Sequence, residues 1–101
     1  MSYSINFDSP DGGEEVFALC NVGSWGKFKE YVDALPGEYN YFKDFVLTGE
    51  SQNTNTLSDE LLTAQLIDPP TEGSPAMEVL EILIELVGVG DEEEHAYISQ
   101  E

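Results

Sequence analysis

The feature that most constrains this sequence is the stretch at residues 74–88, SPAMEVLEILIELVG, which is apolar on nearly every side of a helix. Only Glu78, Glu81 and Glu85 interrupt its large apolar residues. These acids are spaced i, i+3 and i+7, so they form one stripe on a helix, whereas on a strand they would change faces. Such a helix has to be surrounded by the rest of a domain. We therefore predict a core helix with one acidic line left for solvent or a partner.

Both ends of this helix carry residues typical of helix termini. Ser74 is a favourable N-cap, and Pro75 suits the first helical position, where its missing N–H leaves no intrahelical bond unmade. Gly88 is predicted to end the helix, because glycine readily adopts the left-handed conformation. Four further acids follow in the chain, namely Asp91, Glu92, Glu93 and Glu94.

Strand patterns occur near both ends of the sequence. Residues 2–7 alternate between apolar and polar, and residues 8–13 are rich in turn-forming residues. Residues 14–20 are predicted to complete a hairpin, and residues 95–99 to form a last strand beside it. The prediction is a small sheet of two to three strands, made of the N-terminal hairpin plus the C-terminal strand.

Three more segments have helical or ambiguous patterns. Ser24 can cap a helix that extends to Leu35. Residues 38–48 fit a helix and a strand equally well, so that alternative stays open. A further helix follows a polar loop at residues 50–55, with Thr56 or Ser58 as its N-cap. Its predicted buried face is Leu61, Leu62, Leu66 and Ile67. The expected fold class is α+β, with three to four helices packed on the sheet in a single domain, residues 1–101.

Net charge limits the classes of partner. The 101 residues include 21 acids and three lysines, with no arginine, for a net charge of −18. Residues 44–101 contain 14 of the acids and no lysine. So few cations cannot neutralise a phosphate backbone or an anionic lipid surface, which argues against direct binding of nucleic acid or membranes. A basic protein partner is favoured instead, because electrostatic steering would speed the encounter.

Residues that enzymes and metal sites need are scarce. The single cysteine, Cys20, falls in an apolar strand where an inert thiol is expected, and it could meet the single histidine, His95, only if their strands adjoin. The glycines match no phosphate-binding pattern. Residues 91–94 are consecutive acids, unlike the alternating ligands of a calcium loop. We therefore predict no enzyme activity, no cofactor and no metal site.

Aromatic residues cluster in two segments. Residues 25–31 carry theirs at helical spacing, which predicts the buried face of a helix. In the second segment Tyr39, Tyr41 and Phe42 are so crowded that one of them is predicted to point outward. An exposed tyrosine among acids would suit a protein interface.

The functional hypothesis is a small acidic protein that engages a basic protein surface. It could mimic nucleic acid, as phage-encoded antagonists of host defence do, or act as an immunity-type inhibitor of a basic toxin. The predicted binding residues are Glu78, Glu81, Glu85, Asp91, Glu92, Glu93 and Glu94. The alternative is a non-catalytic adaptor or a homo-oligomeric interaction module, such as a homodimer, whose acidity reflects salt adaptation or solubility. We expect a cytoplasmic location, since the sequence has no secretion-signal pattern, no membrane-length apolar run and no pair of cysteines.

Overall fold

A computed structural model of the chain describes residues 2–8, 14–89 and 95–100. Its elements are, in chain order, β1 (Ser2–Asp8), β2 (Glu14–Asn21), α1 (Val22–Asp33), a 3₁₀ turn (Gly37–Tyr39), α2 (Asn40–Thr48), β3 (Glu50–Ser51), α3 (Thr54–Ile67), α4 (Pro75–Val89) and β4 (His95–Gln100). The α+β class is confirmed.

The strands form one antiparallel sheet in the order β2-β1-β4-β3. The hairpin and the C-terminal strand beside it are as predicted, but among the described residues the sheet has four strands and not two to three. The additional strand is β3, Glu50–Ser51, which lies in the segment predicted to be a polar loop. Two residues are too few to show alternation, and this strand is placed by contacts such as the 2.7 Å hydrogen bond from the Ile98 N–H to the Gly49 carbonyl.

Strand β1 is central and carries the alternation seen in the sequence. Ile5 and Phe7 are buried in the hydrophobic core, and on β4 they lie opposite Ile98 and Ala96. The other face of β1 is polar, and there Asn6 Nδ2 donates to the Tyr97 carbonyl at 3.3 Å and to Ser99 Oγ at 2.9 Å.

Two helices begin earlier than predicted, each at an asparagine. The side chain of Asn21 caps α1 by accepting a hydrogen bond from the Ser24 N–H at 2.7 Å, so Ser24 is not the cap. Asn53 Oδ1 caps α3 by accepting from the N–H groups of Asn55 and Thr56, so neither Thr56 nor Ser58 is the cap. Asn21 is the last residue of β2 and Asn53 follows shortly after β3, and Asn is as strong an N-cap as Ser.

The ambiguous segment at residues 38–48 is helical. Helix α2 ends at Gly49, whose φ of 82° is the left-handed conformation that favours glycine. Tyr39 and Phe42 are buried, and the hydroxyl of half-buried Tyr41 accepts a hydrogen bond from the Asn53 N–H at 2.8 Å. The prediction that one of these three aromatics points outward is therefore wrong.

Helix α4 is the predicted core helix, and Ser74 is its cap, since Ser74 Oγ accepts from the Met77 N–H at 3.2 Å. It does not stop at Gly88 but runs through to Val89. Its fully buried residues are Val79, Leu80, Leu83 and Val87. Four other large apolar residues are only half-buried, namely Met77, Ile82, Ile84 and Leu86. The rest of the domain therefore covers α4 on one broad face and not all round.

The core is built around Phe28 of α1, which is fully buried. Its ring centroid lies 5.5 Å from that of Trp25, 6.1 Å from that of Tyr31 and 5.8 Å from that of Phe42 on α2. The ring of Trp25 in turn lies 5.3 Å from that of Tyr3, which joins α1 to the sheet. The aromatic spacing at residues 25–31 is thus the buried face that the sequence predicts.

Helix α3 buries a different face from the one predicted. Its buried residues are Thr54, Leu57, Leu61 and Ala64. Of the predicted face only Leu61 is buried, because Leu62 is 43%, Leu66 82% and Ile67 69% exposed. The leucine-rich pattern has apolar residues on two sides of the helix, and packing against α2 and α4 chooses between them.

Candidate functional site

The acidic stripe of α4 lies on the surface. Glu78, Glu81 and Glu85 are all exposed, on the side of α4 opposite its buried face. Successive acids are separated by about 4.5 and 6 Å along the helix axis. The other predicted binding residues, Asp91, Glu92, Glu93 and Glu94, lie outside the described residues, so their part of the site stays a prediction.

No described cation neutralises the stripe. The ion pairs within residues 2–8, 14–89 and 95–100 join Lys27 to Glu30, and His95 to Asp8 and Glu50. All three lysines belong to α1 and α2. Glu81 and Glu85 are i, i+4 neighbours of like charge, which typically costs about 0.2–0.5 kcal/mol of helix stability. Glu78, in the first turn of α4, is favoured by the helix dipole, but the geometry reveals no favourable contribution of Glu81 or Glu85 to the fold.

Other acids have structural partners, in contrast to the stripe. Glu60 Oε1 of α3 accepts the Phe42 N–H at 3.1 Å, close to the start of α2, where the helix dipole favours a negative charge. Asp68 accepts the Tyr39 hydroxyl on its carboxylate at 2.8 Å and the Tyr31 hydroxyl on its carbonyl at 2.7 Å. Sequence reasoning missed these roles, since each partner is distant in the chain.

Lys43 also has a structural role. Its Nζ donates to the Leu35 carbonyl at 2.7 Å, next to the C-terminal end of α1. A cation is favourable there, and α1 itself has no basic residue in its last turn. A groove of about 460 Å³ between α1 and α2 includes Lys43 and Lys29 in its wall, together with Glu30, Asp33 and Asp44. With three acids beside two lysines, the groove has no charge preference for an anion.

His95 and Cys20 do not meet. Strand β1 separates β2 from β4, and along β1 Cys20 lies opposite Tyr3 whereas His95 lies opposite Asp8. His95 instead lies between two carboxylates, with Nδ1 at 3.1 Å from Asp8 Oδ2 and Nε2 at 3.3 Å from Glu50 Oε2. Both nitrogens can donate at once only in the protonated ring. This arrangement links β4 to both neighbouring strands.

The thiol of Cys20 is expected to react slowly in the folded protein. Burial raises the pKa of Cys20 to about 11, so that its thiolate fraction at mildly alkaline pH is depressed. Alkylation by iodoacetamide at pH 8 should therefore be roughly a hundredfold slower than in the urea-unfolded chain. Mass spectrometry of timed samples measures both rates. Equal rates in the two states would show that the thiol is accessible and unperturbed.

The two tyrosines that contact Asp68 are expected to make the fold less stable in alkali. Burial is the main reason that the pKa values of Tyr31 and Tyr39 are raised to about 12, with the charge of Asp68 adding to it. Since both values are higher than in an unfolded chain, the stabilisation is complete below about pH 10 and is lost as pH rises toward 12. Urea unfolding at a series of pH values measures this, and Tyr39→Phe should flatten the decline. A midpoint that stays constant up to pH 12 would contradict it.

Within the described residues, no three His, Cys, Asp or Glu side chains are arranged to hold a metal ion. The described helices are all too short or too polar to cross a membrane. Comparison of the chain with protein-family models, with curated proteins and with solved structures returned no match. The exposed acidic stripe of α4 is thus the candidate site that rests on both sequence and geometry.

Proposed function

We propose that this protein is a small acidic binding protein that occupies a basic surface of another protein, acting as an inhibitor or mimic of nucleic acid. The observation that carries the proposal is the exposed row of Glu78, Glu81 and Glu85, for which no described lysine or histidine forms an ion pair. These glutamates repel one another and take no part in core packing. A partner that supplies positive charge would explain their presence.

The charge spacing of the row can be compared with that of the phosphates on a nucleic-acid strand. Three carboxylates span about 10 Å of helix axis, whereas one strand of B-DNA carries a charge about every 3.4 Å. The row alone is therefore sparser than a nucleic-acid strand. The remaining acids of a chain with net charge −18 supply the long-range attraction that steers a basic partner toward it.

Affinity capture at two salt concentrations tests the proposal. The protein, immobilised through a terminus, should retain a basic, nucleic-acid-handling protein at low salt and lose much of it at high salt, since the screening length falls from about 30 Å at 0.01 M salt to about 3 Å at 1 M. The captured partner should then be displaced by duplex DNA or RNA if the site is the one used for nucleic acid. Retention of only neutral or acidic proteins would contradict the proposal.

An ordinary adaptor is the second candidate, and the exposed apolar residues favour it. Leu47 is 80% exposed and Leu66 82%. Exposed apolar side chains of this size can bind a partner through apolar contacts, which do not depend on charge. The same capture separates the two functions. A partner retained equally at both salt concentrations, and not displaced by nucleic acid, would support the adaptor and exclude mimicry.

A further inference from the structure

Strand β2 forms one edge of the sheet in the described part of the chain. Within residues 2–8, 14–89 and 95–100, β2 pairs with β1 and no strand pairs with its outer side. At the opposite edge β3 has only two residues, whereas β2 has eight. An edge strand presents a row of unpaired N–H and C=O groups, and proteins often limit such an edge by keeping it short. Of the two described edges, that of β2 is the one long enough to accept a further strand.

The regular part of this edge is the first half of β2. The register with β1 shifts at Leu19, an extra residue that interrupts the ladder. From Glu14 to Ala18 the pairing is continuous, and every residue of this stretch is exposed. Because alternate residues of an antiparallel strand direct their N–H and C=O groups to one side, residues 14–18 offer two or three such positions to a new strand.

The exposure of β2 extends to both faces of the sheet. Phe17 lies opposite the buried Ile5 of β1, so it is on the side of the sheet that faces the core. Glu15, opposite the buried Phe7, is on the same side. Both are nevertheless exposed, so the helices that bury β1 do not fully cover this edge. Val16, on the other face, is 53% exposed. A strand added here would therefore have apolar surface beside both of its faces.

The acids of this edge determine the chemistry of its occupant. Glu14 and Glu15 are consecutive, so they point to opposite faces of the strand, and Val16 and Phe17 continue the same two faces. Each face thus has an acid followed, two residues later, by a large apolar residue. In an added antiparallel strand, lysine or arginine opposite the glutamates and β-branched residues opposite Val16 and Phe17 would form favourable cross-strand pairs.

A second copy of the chain fits this edge less well. If two β2 strands paired antiparallel about Val16, Glu14 would lie opposite Ala18 of the other copy. Glu15 would likewise lie opposite Phe17, so neither acid would meet a base. The net charge of −18 on each chain adds repulsion between copies. Charge complementarity therefore favours a basic segment over self-pairing.

We infer that the outer edge of β2 binds an extended segment of a partner protein as an added antiparallel strand. Read from its N-terminus, this segment has apolar residues opposite residues 16–18 and then two basic residues opposite Glu15 and Glu14. Backbone hydrogen bonds supply affinity, and the opposing side chains supply specificity. The inference goes beyond the proposed function, since it assigns a second surface that does not include the acidic row on α4.

A designed peptide is the probe. It is a fluorescent peptide of about seven residues whose centre has three β-branched residues followed by two lysines. Fluorescence anisotropy at about 0.1 M salt, where remote charges are largely screened, should give a Kd below about 500 µM. Two control peptides of the same charge carry backbone N-methyl groups, one at the first and third central residues and the other at the second and fourth. Since alternate residues of an added strand face β2, one control should bind at least about tenfold more weakly and the other as well as the parent.

Variants of the protein locate the binding. Glu14→Gln with Glu15→Gln should weaken the parent peptide about fivefold or more. Glu81→Gln with Glu85→Gln, which removes the same charge from α4, should change its Kd by less than about twofold. A glutamine at position 14 can still accept a hydrogen bond from the Tyr97 hydroxyl, the present partner of Glu14. Circular dichroism of each variant checks that the fold is retained.

Each other result overturns the inference. Equal binding of the two N-methylated peptides would show that the peptide does not add as a strand. Binding that is lost in the α4 variant and kept in the β2 variant would place the peptide on the acidic row. No binding of the parent below about 2 mM would reject the edge as a docking surface. A dimer in sedimentation that Phe17→Lys dissociates would assign the edge to a second copy. Capture of a basic partner through Glu81 and Glu85 tests the proposed function separately.

Discussion

Exchanging Glu81 and Glu85 for lysine is expected to weaken binding of the basic partner by at least about a hundredfold, while the fold remains as stable as before. Each reversal replaces an attraction by a repulsion, and about 1.4 kcal/mol at each position gives that factor. The stability is retained since the Glu81–Glu85 repulsion is removed, and a lysine at 85 suits the carbonyl end of α4. Titration of the captured partner, with urea unfolding of each variant, measures both quantities.

A matched control separates the effect of changing the acidic row from the effect of changing the total net charge. Glu38→Lys with Asp44→Lys changes the total charge by the same amount, but these acids are exposed in and just before α2. It should reduce affinity only through long-range steering, and so by much less, with most of the change in the association rate. If the two double variants lost affinity equally, the α4 stripe would be ordinary solubilising surface.

Replacing Phe28 by alanine is expected to lower the free energy of unfolding by about 3–5 kcal/mol. Phe28 is fully buried, and its ring meets those of Trp25, Tyr31 and Phe42. The surrounding rings come from two helices and cannot all move inward, so a cavity remains after truncation. Domains of this size are stable by only about 5–15 kcal/mol, so the variant should be close to unfolding. Urea titration followed by circular dichroism measures the loss.

Phe17→Ala is the control for this substitution. It deletes the same atoms from strand β2 at the edge of the sheet, where Phe17 is 36% exposed and its ring lies 5.9 Å from that of Phe7. The loss of stability there should be less than half as large, because part of the ring is already in water. Equal losses at the two positions would mean that Phe28 is not the centre of the core.

Patterns that repeat within one element were sufficient to predict much of the fold. The alternation of β1, the helical period of α4 with its Ser74 cap, and the exposure of Glu78, Glu81 and Glu85 all depend on neighbours within a few residues. When one side of a helix or strand is buried, the spacing of its apolar residues follows the repeat of that element, so the sequence reveals it. The acidic row of the candidate site could be located for the same reason, since three charged residues on an apolar helix must face water.

Features set by contacts between distant residues were missed. Strand β3 exists since residues 50–51 lie against β4, and two residues carry no periodic signal. The caps at Asn21 and Asn53 follow from where strands end, and the roles of Glu60, Asp68 and Lys43 depend on partners 8 to 37 residues away.

The sequence by itself determined the fold class, the core helix, the charge and the acidic row. These follow from composition and from the spacing of residues within one element, because apolar residues of an element are buried on one side and charged residues face water. Only the tertiary structure decided which side of α3 is buried, and hence that Leu62 and Leu66 are exposed. Both sides of that helix carry leucines, so its own period leaves the choice open. Packing against α2 and α4 settles it, since those helices cover one face and leave the other to solvent.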